Sequence, residues 1–385
     1  MEFLDYATLK VLWWGLVGAL LIGFACTDGY DLGVASLLPI VARKDEERRL
    51  VINSVGPMWE GHQVWFITAG GALFAAFPFV YAVSFSGFYL AMFVVLAALI
   101  MRPVGFKYRS KRPDPKWRRN WDYALFIGGI VPALIFGVAL GNVLQGVPFD
   151  LDTNLRPSYD NAGWGVLALL KLLNPFALLC GITSVAMLML HGAAWLVVKI
   201  EDGPVKDRAA MIGTYAGFAV IAVFALAGIW LAVSGMGYRI TSEIDPNGPA
   251  NPLRKTAEMA EGAWMTNYIK YPWMVIAPLL GFAGTAFAIR GLRRQSPLGF
   301  LGSGLACFGI IATVGLTMFP FILPSSVNPS VSLTVWDSAS SATTLGIMLA
   351  VTAIFLPIVL AYTAWVYKVL FGELTTEEAN APNNY

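Results

Sequence analysis

The chain has 385 residues, of which 57% are hydrophobic and only 13% are charged, and its formal net charge is +2. A mean hydropathy of +0.65 excludes an ordinary soluble domain, because so much apolar surface must face lipid. The nearly neutral net charge gives no indication of a nucleic-acid partner. The basic loop 102–119 is explained as a topology determinant near anionic lipid.

Charge-free runs recur along the chain, and a bilayer core about 30 Å thick needs roughly 20 apolar residues per helical crossing. The run 61–101 is long enough for two crossings with a bend at Phe77 and Pro78, and the run from 295 predicts one helix followed by a wet loop. The short piece 30–41 is either an extension of the first helix or an interfacial segment. The sequence therefore predicts an all-α membrane bundle of about nine transmembrane helices in one domain, 1–385, from runs at 11–27, 61–101, 123–149, 172–198, 209–238, 271–289, 295–336 and 338–367.

Positive residues alternate between the two sides of these helices. Cytoplasmic loops collect Lys and Arg, and here they concentrate in four segments. This pattern predicts an N-terminus outside and a cytoplasmic tail, 371–385. Glu2 and Asp5 replace a positive leader region, so we expect the first helix to be retained. The four segments are 43–49, 102–119, 199–208 and 290–294.

The cysteines and histidines limit what the chain can catalyse alone. Cys26, Cys180 and Cys307 lie in or beside apolar segments without a CxxC pair and are interpreted as small core residues. His62 and His191 are candidate axial haem ligands, although a lone histidine in a membrane helix more often bonds to a neighbouring group. No nucleotide loop or nucleophile triad is present. We therefore expect no catalytic residue or metal site in this chain, and catalytic groups that come from a partner.

Acidic residues at membrane depth are costly and indicate function. The motif TDGYDLG places Asp28 and Asp31 three residues apart, on one face of a continuing helix. A carboxylate here either caps a helix end, pairs with Arg102, or handles protons.

The motif WEGHQVW, 59–65, opens the second helix. Glu60 lies beside His62 and Gln63, and such a group with intervening water is typical of proton entries. Trp59 and Trp65 are typical of interfacial aromatic anchors.

A third polar segment, 318–341, lies in an outer loop and holds Asp337. Serine and aspartate before a long apolar run favour an N-cap for the ninth helix.

Several motifs in this order and spacing resemble the cytochrome bd quinol oxidase subunit II family. They are TDGYDLG, ERR followed by INSVGPMWEGHQVW, MRPVGFKYRSK, GNVLQGVPF, FPFILPSS with SLTVWDSASS, and AYTAWVYKVLFG. The resemblance covers essentially the whole chain.

The resemblance implies two four-helix bundles plus a peripheral helix in a bacterial cytoplasmic (inner) membrane. It implies a haem-free companion of subunit I, which carries two haems b and one haem d, oxidises a quinol such as ubiquinol and reduces oxygen to water. Protons for water come from the cytoplasm, which generates a proton motive force in aerobic respiration. A quinone lying structurally against subunit II and a small single-helix accessory subunit are further partners that the family implies.

Residue by residue, the resemblance places Glu60 and Asp31 in a cytoplasmic proton pathway with Arg102, and Trp65 at the mouth of a lateral oxygen channel. Asp28, His62, Gln63 and Asp337 are expected to give polar support. The sequence departs from the family pattern with Glu60 where Asp is common and His62 where Asn is common, which leaves the path geometry open.

Two other interpretations remain open. A secondary transporter would bind an ion between inverted repeats, and the FPF motifs at 77–79 and 319–321 weakly suggest repetition. A purely structural assembly subunit would have no proton role.

Overall fold

The computed structural model describes residues 4–159, 165–370 and 372–381. Glu2, residue 371 and residues 382–385 lie outside this range, so the predictions for the N-terminal leader and for the tail 371–385 concern it only in part. Long helices dominate, joined by short helices and small hairpins. The helices are α1 (Tyr6–Cys26), α2 (Asp28–Val41), α3 (Asp45–Asn53), α4 (Trp59–Ala76), α5 (Pro78–Gly87), α6 (Tyr89–Tyr108), α7 (Pro115–Gln145), α8 (Val166–Leu172), α9 (Pro175–Lys199), α10 (Pro204–Val233), α11 (Ala263–Lys270), α12 (Ile276–Arg293), α13 (Leu298–Met318), α14 (Ala342–Val369) and α15 (Thr376–Ala379).

Six short strands form three antiparallel hairpins, all at one end of the helices. They pair β1 (Asp150–Leu151) with β2 (Pro157–Ser158), β3 (Tyr238–Ile240) with β4 (Ala257–Met259), and β5 (Phe321–Leu323) with β6 (Leu333–Thr334). We call this end the sheet end. The opposite end, formed by 42–58, 109–114, 200–203, 294–297, 370 and 372–381, is the basic end.

Contacts between loops show that the long helices run from one end to the other. At the basic end Arg48 bonds Asp122 and Arg208 bonds Glu47, both at 2.7 Å. At the sheet end the Ser340 amide donates to the Ala76 carbonyl at 2.8 Å. In the described residues the chain thus passes between the two ends in nine segments: α1 with α2, α4, α6, α7, α9, α10, α12, α13 and α14.

Eight segments in the described part of the chain are long and apolar enough to cross a membrane. The passage made by α4 is not among them, and its first turn carries Glu60, His62 and Gln63. The bend predicted at Phe77 and Pro78 is present, because α4 ends there and the short α5 leads to α6. The all-α membrane prediction is confirmed, and the three hairpins are its small exceptions.

The helices form two groups of four and an outlying helix, as predicted. The helices α9, α10, α12 and α13 pack against one another, and α1 with α2, α4, α6 and α7 form the other group. The last helix, α14, buries only Leu345 and lies at the periphery.

Of the two alternatives for the piece 30–41, the structure shows the extension of the first helix and not a separate interfacial segment. Thr27 is a single turn residue between α1 and the largely buried α2, and the two helices form one span, Tyr6–Val41. Gly33 of α2 lies against the backbone of α9. A Cβ at this position would be only 1.9 Å from the carbonyl oxygen of Leu188. Only glycine permits this approach.

For the outer loop 319–341 one prediction is wrong, and the N-cap prediction is confirmed for serine and not for Asp337. The loop is not wet: Ser325, Ser332 and Leu333 are fully buried, because β5 and β6 fold back on the helix ends. Asp337 does not cap α14. Ser341 Oγ does so, accepting the Thr344 amide at 3.2 Å, since it stands directly before the first helical residue.

Candidate functional site

A cluster of four ionisable side chains lies buried in the basic half of the molecule. We call Asp28, Asp31, His62 and Arg102 the buried acid cluster. The guanidinium of Arg102 donates to both carboxylate oxygens of Asp28, at 2.9 and 2.8 Å, and Asp31 Oδ2 lies 3.8 Å from Arg102 Nη2. Bidentate pairs of this kind are the strongest ion pairs in proteins. Of the alternatives for Asp28, pairing with Arg102 is the one observed.

His62 extends the cluster from Asp31 to two phenols. Its Nδ1 lies 2.7 Å from Asp31 Oδ2, and its Nε2 lies 2.9 Å from Tyr367 Oη and 3.2 Å from Tyr30 Oη. The two phenol oxygens are 2.8 Å apart. With Asp31 ionised, Nδ1–H donates to the carboxylate, and Nε2 of the neutral ring accepts from a phenol.

The charges of the cluster do not cancel without a proton. Two carboxylates face one guanidinium, and all three side chains are at most 1% exposed. An unpaired charge at this depth is costly, so neutrality requires one further proton, held by Asp31 or His62. Asp31 Oδ1 accepts no hydrogen bond from the described residues. The cluster therefore has both a proton to share and an oxygen able to take it.

Helix packing holds these side chains in place. A Cβ on Gly128 of α7 would lie 2.9 Å from Arg102 Cγ, so glycine leaves room for the arginine stem. The ring of Tyr30 stacks on Trp195 of α9 at 4.5 Å between centroids. His62 meets Tyr30 edge-on at 5.1 Å. Such aromatic contacts fix ring orientation.

Glu60 lies apart from the buried acid cluster, on the surface of the isolated chain. Its side chain is 67% exposed, and its ion-pair partner is Lys107 of α6 at 3.7 Å. Gln63 is half-buried. The structure thus places Glu60 at the outer surface of α4. His62, two residues further along the helix, is buried and points inward.

The two tryptophans of WEGHQVW differ from each other. Trp59 is buried and packs against Phe106 at 5.4 Å between centroids, so it is not an interfacial anchor. Trp65 is half-buried and lies over Gly23, where a Cβ would meet its ring at 2.8 Å.

His191 is fully engaged by protein groups. Its Nδ1 lies 2.8 Å from Ser303 Oγ, its Nε2 lies 3.0 Å from the Cys26 carbonyl, and its ring stacks on Phe300 at 4.8 Å. The ring nitrogens of His62 are also engaged. Neither histidine has a ring nitrogen free for an axial bond, so these two residues do not fit haem ligands.

A second set of buried charges lies at the sheet end. Lys10 Nζ donates to three backbone carbonyls, those of Pro246, Gly248 and Trp336, at 2.9, 3.0 and 2.7 Å. Such complete pairing is what a buried ammonium requires.

Asp337, expected to give polar support, belongs to this second set. Its Oδ2 lies 2.8 Å from Lys255 Nζ, and its Oδ1 accepts the Thr334 amide at 2.9 Å. Lys255 also donates to the Ser332 carbonyl. Burial lowers the pKa of Lys255, and the neighbouring Asp337 carboxylate offsets part of that shift.

Sequence reasoning missed Tyr30, Tyr367 and Lys10. Tyr30 lies inside the motif TDGYDLG, so its position beside Asp31 could have marked it as a candidate. Tyr367 meets His62 across 305 residues, and no local pattern links the two. Lys10 is the one charged residue of α1, and an isolated charge in an apolar helix is itself a signal of a specific partner.

The fold and the buried acid cluster define a multi-pass helical membrane protein with ionisable groups at membrane depth. Residues 9–370 match the family model described as cytochrome bd terminal oxidase subunit II. The chain belongs to that family.

Full-length relatives agree. The chain is 47% identical over 372 residues to the probable cytochrome oxidase subunit 2 of Haemophilus influenzae, with 96% of each chain covered. It is 46% identical over 376 residues to the cytochrome bd-I ubiquinol oxidase subunit 2 of Escherichia coli K12, with 97% of each covered. A chain in the structure of bd oxidase from Geobacillus thermodenitrificans has a TM-score of 0.66 at 15% identity, covering 95% of this chain and 100% of that one, which shows the shared fold.

Proposed function

We propose that the chain is the haem-free subunit II of a quinol:oxygen oxidoreductase in the bacterial inner membrane. Its partner subunit I carries two haems b and one haem d, oxidises quinol and reduces oxygen to water. Family membership and the full-length relatives named as ubiquinol oxidase subunit 2 support this assignment. They also remove the reason to retain the transporter alternative.

The haem-free assignment is supported by the histidines. His62 and His191 use both ring nitrogens on protein partners. We therefore expect His62→Ala to leave every haem band in the spectrum of the purified complex. Selective loss of one haem would make His62 a ligand.

Subunit II takes up protons from the cytoplasm for oxygen reduction, by way of Glu60 and the buried acid cluster. The observation that carries this role is the charge count: two buried carboxylates share one guanidinium and need one exchangeable proton. Glu60, exposed at the same end of α4 as His62, is the entry. Arg102 binds both carboxylate oxygens of Asp28 and leaves Asp31 and His62 as the exchanging pair.

Proton movement within the cluster follows from its hydrogen bonds. A proton reaching Nε2 of neutral His62 through Tyr30 or Tyr367 gives an imidazolium, whose Nδ1 proton is then released to Asp31 Oδ2. Each transfer spans a distance within hydrogen-bond reach. The phenol that gave its proton regains one from the entry side. The proton taken up now resides on Asp31 and raises the charge of the cluster by one. The relay accepts another proton only after Asp31 has passed its proton on towards subunit I and the imidazole carries its own proton on Nδ1 again.

Further finer roles belong to this proposal. Trp65 lies at the mouth of a lateral oxygen channel, supported by its half-buried position against Gly23. Gln63 supports the entry beside Glu60. A structural quinone, lipid and a small accessory subunit are partners by family resemblance.

The N-terminus faces outward and the tail faces the cytoplasm, so the basic end is cytoplasmic. The concentration of Lys and Arg in the loops of that end supports this orientation. The described tail residues, 372–381, lie there, with the Thr376 amide on Glu201 at 2.7 Å. A reporter fused after Arg112 should read as cytoplasmic, and an external signal would reverse the orientation.

The decisive experiment measures quinol-driven oxygen consumption by purified complexes, normalised to haem content. Glu60→Gln and Asp31→Asn keep shape but cannot exchange a proton as carboxylates, so each should lower turnover by about 10²-fold, as for loss of a positioned proton-transfer group. Glu60→Asp should retain much of the activity. Glu46→Gln, an exposed carboxylate at the same end, is the matched control and should be normal.

Normal turnover in both amide variants would remove the proton role and leave the structural assembly subunit. Loss of haem from the Glu60→Gln complex would make Glu60 structural in the first instance. The Asp variant, which restores the carboxylate, would then decide.

A further inference from the structure

A groove with a volume of about 520 Å³ opens at the basic end of α6, between that helix and the start of α7. Its volume lies in the range of ligand sites, about 300–1,000 Å³. The groove combines three cationic side chains with two aromatic ones. They are Lys107, Tyr108, Lys111, Arg112 and Trp117.

The cations of this groove differ from a set of paired arginines at the basic end. Carboxylates neutralise Arg109 and Arg48 through Asp122, Arg118 through Asp45, and Arg208 through Glu47. By contrast, no carboxylate of the described residues lies within 4.0 Å of Lys111 or Arg112. These charges are not required for internal pairing.

Lys107 is the intermediate case, with one weak and exposed partner. Its ammonium lies 3.7 Å from Glu60, and both side chains are more than half exposed. An exposed pair of this kind contributes about 0–1 kcal/mol. An incoming anion can therefore take Lys107 from Glu60 at little cost.

The aromatic wall places the groove at the membrane surface. Trp117 Nε1 donates to the Tyr108 carbonyl at 2.9 Å, and the Arg112 guanidinium lies 4.8 Å from the Trp117 ring centroid. Trp121 stands edge-on to Trp117 at 5.8 Å. Tryptophans at the end of a membrane helix mark the level of the lipid headgroups.

Below the groove, the same face of α6 is apolar and exposed. Ile100 and Met101 stand seven residues before Lys107 and Tyr108, which puts each pair on one side of the helix. Ile100 is 62% exposed. A molecule with an anionic head and an apolar tail would fit here, with its head in the cationic groove and its tail along the apolar face of α6.

We propose that this groove binds the phosphate headgroup of an anionic phospholipid, with Lys107, Lys111 and Arg112 as its cationic ligands. The acyl chains lie against the face that bears Ile100. This site does not depend on the proton role of the chain. Its position next to Glu60 places a bound phosphate beside the proposed proton entry.

The test uses the purified complete complex and quenching of tryptophan fluorescence by dibrominated lipids. Dibrominated phosphatidylglycerol should quench the Trp117 contribution, defined as the difference from Trp117→Phe, at lower lipid fraction than dibrominated phosphatidylcholine. The double variant Lys111→Gln/Arg112→Gln should weaken the preference for the anionic lipid by about 25-fold, since each basic residue at a membrane surface contributes on the order of fivefold.

The matched control is Arg290→Gln/Arg294→Gln, which removes the same charge from exposed positions at the same end, outside the groove. It should leave the preference intact. Equal loss in both double variants would mean diffuse charge attraction and overturn the site. So would equal quenching by both lipids. Displacement of phosphatidylglycerol by millimolar inorganic phosphate would show that the groove binds a free anion, and would overturn the proposal of a lipid ligand.

Discussion

The two ends of the protein bury charge in opposite ways. At the sheet end, Lys10 has three carbonyl partners and Asp337 has an ammonium and an amide. In the basic half, Asp31 keeps an oxygen without a described hydrogen-bond partner and faces a histidine. A charge held by fixed donors and acceptors fastens loops together, whereas a carboxylate beside an imidazole and two phenols can exchange protons.

This contrast explains why a carboxylate in a polar motif is not by itself a functional signal. Asp31 and Asp337 are both nearly inaccessible acids in motifs of the family. What distinguishes them is the partner, which at Asp337 is an ammonium and at Asp31 is a titratable ring. The comparison predicts that variants at the sheet end change stability alone, while variants in the buried acid cluster separate stability from turnover.

The largest effect on stability should come from Arg102→Met. It leaves Asp28 buried without its bidentate partner, and removal of one member of a buried pair costs about 3–5 kcal/mol. The yield of haem-loaded complex and its thermal midpoint should fall sharply. Arg290→Gln, which removes an exposed cation of α12, should change neither. A stable Arg102→Met complex would show that the bidentate pair is not needed for folding.

Lys10→Met should come next. The apolar side chain fits helix α1 but leaves three carbonyls without their donor, and an unsatisfied buried polar group costs about 1–3 kcal/mol. The loss is limited because the loops can relax. We expect a lower thermal midpoint with unchanged oxygen consumption per haem. Reduced turnover in a fully loaded complex would contradict the assignment of a purely fastening role.

Tyr367→Phe should have a smaller effect, of about 1 kcal/mol on stability, the typical net value of one hydrogen bond. Turnover should fall further than in Tyr30→Phe, because Tyr367 makes the shorter bond to His62, at 2.9 against 3.2 Å. Stopped-flow proton uptake measures the difference. Equal and normal rates in both variants would limit the relay to Asp31 and His62.

The smallest effect should be a pH dependence from Lys255. Its pKa in the folded protein is lowered by burial, so the folded state pays for keeping the ammonium charged at neutral pH. As pH rises through the lowered pKa towards about 10.4, the value of a free lysine, the folded state loses its proton first, and stability should rise. In Lys255→Met/Asp337→Asn this rise should disappear from thermal midpoints measured across that alkaline window. A rise that persists would assign it to another group.

The sequence predicted the helices well, because crossing a bilayer demands an apolar run that can be counted along the chain. The pairing of Asp28 with Arg102 was among the stated alternatives for the same reason: both charges stand out against apolar surroundings. The prediction of a wet loop at 319–341 and of capping by Asp337 was wrong, since the burial of this segment depends on hairpins and on Lys255 from a distant segment. The contact between His62 and Tyr367 depends on how α14 lies against α4, which hydropathy does not encode.

The close contact between Gly33 and Gly192 has a mechanical consequence. A Cβ on Gly192 would lie 2.5 Å from the backbone of Gly33, so α2 and α9 meet backbone to backbone at the seam between the two groups of helices. No side chain lies between the two main chains at this contact, so the helices have little room to slide past each other. Any residue larger than glycine at either position would force α2 and α9 apart and separate the two groups of helices.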